Sequence, residues 1–124
     1  MYIDKNLLIH KRLQMLRDLM DHHGLRNWSI QTHKGRKYAW SFNLGKTLYW
    51  RKIISISRPW LVNALEEHLL ENYAHEIAHA LVGPGHKHDA VWKAKAIELG
   101  SDGYAESSNR IFWTDNAYGK GNRI

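Results

Sequence analysis

The sequence predicts an α+β domain: an N-terminal helix, a small antiparallel three-stranded sheet, a helix bearing two histidines one turn apart, and a further helix. Three observations predict it. Apolar residues recur at helical spacing before Gly24 and again from Leu65 to Leu81. Between these segments, Trp28 to Ile56 alternates in strand fashion around two turn signals, Lys34-Gly35-Arg36 and Asn43-Leu44-Gly45-Lys46. A last periodic segment follows Gly83-Pro84-Gly85. The 124 residues fit one domain, with no internal repeat or linker. Its core is expected over about 4–100, with 101–124 as a tail.

Taken in order, Asp4 is placed to cap the first helix, whose inward stripe holds Leu8, Leu16, Leu19 and Met20, and Gly24 to end it. Trp28-Ser29-Ile30-Gln31-Thr32 reads as the first strand. Tyr38, Trp40 and Phe42 share one face of a second. A third is expected from Thr47 to Ile56, broken near Arg51-Lys52, so that two hairpins make a meander. The next helix begins between Pro59 and Asn63. Asn63-Ala64-Leu65-Glu66 resembles a capping box, and Leu65, Leu69, Tyr73, Ile77 and Leu81 form the buried stripe. The final helix runs from His88 to Leu99 and stops at Gly100.

Composition narrows the chemistry. The chain has no cysteine, which excludes disulfides, zinc ribbons and thiol catalysis. The N-terminus has no apolar signal-type core and no stretch reaches membrane-spanning length, so a cytoplasmic protein with no membrane partner is expected. Net charge is +6, but it is unevenly spread. From His22 to Leu65 there is no acidic residue, against eight basic ones, among them Arg36, Lys37, Arg51 and Lys52. Trp28, Trp40, Trp50 and Trp60 lie in the same stretch. Cations interleaved with aromatic rings suit DNA, and those four basic residues are the candidate contacts. A cationic sheet whose aromatics are simply core is the plainer alternative.

His75-Glu76-Ile77-Ala78-His79 carries the sharpest chemical signal. On a helix its two imidazoles stand about 6 Å apart along one face. There they can share a tetrahedral metal ion while Glu76 reaches a water bound to it. Without cysteine, further ligands must be His, Asp or Glu. His86 and His88 follow the glycine turn, and a chain reversal would bring one back to complete a three-histidine site for one Zn2+ per chain. Such an ion lowers the pKa of water from about 15.7 to near 7, and Glu76 would act as base toward a peptide bond and return the proton to the leaving amine. Tyr73, Tyr104, Tyr118 and Arg110 remain open as oxyanion donors. His68 reads as groove-lining or solvated, and His10, His22, His23 and His33 as surface.

Together with the element order, His75-Glu76-Ile77-Ala78-His79-Ala80 and His88-Asp89-Ala90-Val91-Trp92 resemble the SprT-like zinc metallopeptidases, which share an HExxH helix and a later His-Gly-x-x-Phe/Trp element. The run Ile53-Ile54-Ser55-Ile56-Ser57 and the Gly45 turn add to the likeness, which spans roughly residues 28 to 100. By the family's spacing the third ligand is His88, four residues before Trp92, with His86 as an outer donor or alternative ligand. The resemblance implies a zinc metalloendopeptidase acting on DNA-associated or DNA-crosslinked proteins. Two departures stand out: Asp89 replaces the family's usual glycine, and the tail has no cysteine zinc ribbon. The rival readings are a zinc-stabilised nucleic-acid-binding module without protease activity, and a structural protein with a coincidental motif.

Overall fold

The computed structural model describes residues 4–34 and 44–103. They form an α+β fold: α1 (Lys5–His22), β1 (Ser29–His33), β2 (Gly45–Leu48), a single 3-10 turn (Tyr49–Arg51), β3 (Ile53–Ser57), α2 (Arg58–Asn63), α3 (Glu66–Val82) and α4 (Ala90–Glu98). No helix among them is long and apolar enough to cross a membrane.

Asp4 caps α1 by accepting the amide N–H groups of Asn6 and Leu7. At the other end Gly24, at φ +88°, makes the reversal that any β-carbon would strain. The Leu25 N–H then returns to the Met20 carbonyl and the Gly24 N–H to the Asp21 carbonyl. Arg17 ties this corner to the sheet by donating to the carbonyls of Leu25 and Trp28. Arg12 donates to the carbonyls of Leu61 and Ala64, while its own carbonyl accepts the Tyr73 hydroxyl at 2.7 Å. One helix face thus anchors α2 and α3.

The sheet is mixed, which corrects the antiparallel meander expected from the turn signals. Its order is β1-β3-β2, with β1 parallel to β3 and β2 antiparallel to it. The physical reason lies in β3. Ile54, Ser55, Ile56 and Ser57 are all buried, so this strand needs cover on both faces and a neighbour on both edges, and it takes the centre. Gly45 opens β2 rather than sitting in a turn. The expected strand through Tyr38, Trp40 and Phe42 lies outside the described residues. The expected break near Arg51-Lys52 is present: the 3-10 turn and a left-handed Lys52 (φ +56°) separate β2 from β3.

α2 follows β3 directly, with Ser57 as its N-cap. The capping box at Asn63 is not formed. Asn63 donates its amide back to the Pro59 carbonyl, and the chain runs extended through Ala64 and Leu65 before α3 begins. The start of α3 has no side-chain cap, and Glu66 and Glu67 in its first turn face the positive helix end instead. Leu69, Tyr73 and Ile77 are fully buried, whereas Leu65 and Leu81, the ends of the predicted stripe, are exposed. The main core gathers Leu16, Met20, Ile54, Ile56, Trp60, Leu61, Leu69, Tyr73 and Ile77. A second, small cluster of Ala78, Trp92 and Ala96 joins α3 to α4.

Candidate metal centre

α3 presents His75 and His79 one turn apart, their ring centroids separated by 5.0 Å. The left-handed Lys87 (φ +49°) turns the chain so that His88 comes back over them just before α4. Asp89 caps α4, accepting the N–H groups of Val91 and Trp92, in an extended backbone (φ −78°) that has no need of glycine. The His88 Nε2 lies 3.1 Å from His79 Nε2 and 3.3 Å from His75 Nε2. Three ligand nitrogens therefore lie within 4.8 Å of one another, close enough to hold a metal ion.

The donor set fits such an ion. Two imidazole nitrogens on one tetrahedral zinc stand about 3.3 Å apart at ordinary Zn–N lengths, close to the separations His88 makes here. Three neutral nitrogens facing one another have lone pairs that a cation satisfies. Burial and mutual repulsion keep His75 and His79 neutral, His75 being held down at about 3 and His79 at about 4, with Asp102 opposing the shift at His75. Beneath them Trp92 is wholly buried and touches all three rings, with centroids at 4.6 to 5.3 Å, lying nearly parallel to His79. Its indole Nε1–H donates to the His75 carbonyl.

Glu76 is 4% exposed and its Oε2 lies 4.0 Å from His75 Nε2. Burial raises its carboxyl to about 7, with the Thr47 hydrogen bond pulling the other way. The carboxylate rests on β2. Thr47 donates its hydroxyl to Glu76 Oε1 at 2.7 Å, and a β-carbon at Gly45 would lie only 3.0 Å from Glu76 Cγ and Oε2. Tyr49, just past the strand, has its hydroxyl 3.2 Å from His79 Nδ1, and burial, then the nearby Glu76 charge, raises its pKa. The histidines, Glu76 and residues 45–49 line an open cleft of about 390 Å3.

The other candidates are distributed as follows. His86 stands outside the cluster, its Nδ1 3.0 Å from Asp89 Oδ2 in a solvent-facing pair. Tyr73 is in the core, committed to the Arg12 carbonyl. Arg51 and Lys52 are exposed on the turn after β2, beside Trp50, which is 88% exposed. Arg36, Lys37, Tyr104, Arg110 and Tyr118 lie outside the described residues. Sequence reasoning missed Thr47 and Tyr49, and it gave Gly45 the wrong role. Their alternate spacing, Gly45-x-Thr47-x-Tyr49, was the available signal, since such residues share one face of a strand. Comparison with known protein families, with curated proteins and with solved structures finds no match to this chain.

Proposed function

We propose that this domain is a zinc-dependent endopeptidase of SprT-like type. One observation carries the reading: a buried carboxylate, clamped by Thr47, lies beside three converging imidazoles at the floor of an open cleft. A zinc ion held by His75, His79 and His88 would supply Lewis acidity, polarising a peptide carbonyl and making water acidic near neutral pH. The chain's own residues do the rest. With Oε1 engaged by Thr47, Glu76 Oε2 is the oxygen that takes the proton from the attacking water. It then returns that proton to the amine nitrogen as the peptide bond breaks. Burial keeps bulk water from competing for the carboxylate.

Among the described residues β2 is an edge strand and borders the cleft, so an extended substrate has a backbone edge to pair with. Lys46 in the cleft lining, with the exposed Trp50, Arg51 and Lys52 on the turn that follows β2, supports substrates presented on DNA. Zinc per chain, measured beside a His88→Ala control, together with cleavage of a protein substrate with and without single-stranded DNA, tests the reading. We expect about one zinc, lost in the control, and cleavage that Glu76→Gln abolishes while zinc stays bound. Stoichiometric zinc without cleavage in either condition would favour the zinc-stabilised nucleic-acid-binding module instead. No zinc at all would remove both.

A further inference from the structure

We propose that Tyr49 is a positioning residue for the metal ligand His79, and that β2 and the turn that follows it thereby set both the base and one ligand of the site. The proposal rests on the metal reading above and deepens it.

An imidazole that ligates through Nε2 must carry its proton on Nδ1, and in a part-buried site that proton needs an acceptor. The Tyr49 hydroxyl oxygen is 3.2 Å from His79 Nδ1. The opposite Nε2 is the nitrogen that meets His88 Nε2 at 3.1 Å. The ring is therefore held at Nδ1 by Tyr49, and Trp92 stacks on its face at an interplanar angle of 25°. With the Nδ1 proton accepted by Tyr49, the Nε2 lone pair points at the cluster. Rotation of the ring would break this bond and the stacking together.

The path of the chain out of β2 explains why a tyrosine stands here. Thr47, two residues earlier, grips Glu76, and Tyr49 reaches His79, three residues further along α3. Two residues of extended chain advance about 6 to 7 Å and three residues of helix about 4.5 Å, near enough for neighbouring hydroxyls to reach neighbouring side chains of the motif. Tyr49 is uncharged, so it orients the ligand without changing the formal charge of the site.

Zinc affinity, measured by competition against a chromophoric chelator, separates this role from a purely structural one. Tyr49→Phe keeps the ring and removes only the oxygen. It is expected to weaken zinc binding roughly 10- to 100-fold. Thr47→Val, which loosens Glu76 and not a ligand, should leave zinc affinity at the wild-type value. In the zinc-loaded wild-type protein, long-range 1H–15N correlation should show the His79 proton on Nδ1, a readout that does not depend on either variant folding. Equal zinc affinity in Tyr49→Phe and wild type, or a His79 proton on Nε2, overturns the proposal while leaving the metal site standing. Reduced peptide turnover at unchanged zinc affinity also overturns it, making Tyr49 a donor to substrate. A wild-type protein that binds no zinc overturns the metal reading and this proposal together.

Discussion

Thr47 donates its hydroxyl to Glu76 Oε1 at 2.7 Å and lies 3.1 Å from the Glu76 carbonyl oxygen, so one side chain fastens the edge strand to the motif helix. A carboxylate placed beside three imidazoles without such a grip would turn toward them. Thr47 holds it back against β2.

Thr47→Val should therefore separate catalysis from folding and metal binding. Losing a hydrogen bond to a buried carboxylate is expected to cost about 1–3 kcal/mol. Urea denaturation of the metal-free protein checks this. Turnover should fall at least tenfold with zinc still bound, as measured by initial rates at matched zinc occupancy. Full turnover would mean that Glu76 needs no fixed orientation.

Gly45→Ala tests the seat itself. Its methyl group would meet Glu76 Cγ and Oε2 at 3.0 Å, so either the carboxylate or β2 must shift. Overpacking of this kind costs about 1–3 kcal/mol. Thermal melting should show the loss, and turnover should fall with zinc content unchanged. An unaltered rate would show that Glu76 tolerates displacement.

Trp92→Ala removes the floor beneath all three histidines. Truncating a fully buried tryptophan costs about 3–5 kcal/mol, and here the ligand rings lose their common support. Stability and zinc affinity should fall together, whereas Trp92→Phe should recover most of both. Chemical denaturation and chelator competition on the two variants make the comparison.

Acid should destabilise the metal-free protein. His75 and His79 are depressed to about 3 and about 4 from 6.5. Their contribution is complete above pH 6.5 and is lost as pH falls toward those values, because the unfolded chain takes up the protons first. Glu76, raised from 4.5 to about 7, acts oppositely: its contribution is complete below pH 4.5 and is lost as pH rises toward 7. Two imidazoles outweigh one carboxyl, so the urea midpoint should drop between pH 6 and 4.5. Glu76→Gln should steepen that drop by about one proton. A flat profile would contradict the burial of the imidazoles.

The helices and the histidine pair were legible because each rests on local chemistry: an Asp4 cap, a glycine at positive φ, imidazoles one turn apart. His88 was singled out from His86 only by the family resemblance, and its relation to Trp92 is now seen as a direct ring contact. Sheet order was not legible. Turn signals suggest hairpins, but the decisive cue was the density of burial from Ile54 to Ser57, which demands a central strand. The break at Ala64-Leu65 was hidden because Leu65 continues the apolar period while lying exposed outside the core. Thr47 and Tyr49 were legible as strand residues only, since alternation reveals a shared face and not what that face meets.

The division of the interior into a main core and the small Ala78-Trp92-Ala96 cluster has a kinetic consequence. His75 and His79 ride on a helix rooted in the main core, while His88 belongs to the turn leading into α4, which packs through the small cluster. Detaching α4 would take away one ligand and the floor in the same motion without disturbing the sheet. Exchange of an ion held there would then need only partial opening at one end of the fold, below the cost of global unfolding. An ion in place would act as a latch on the last helix.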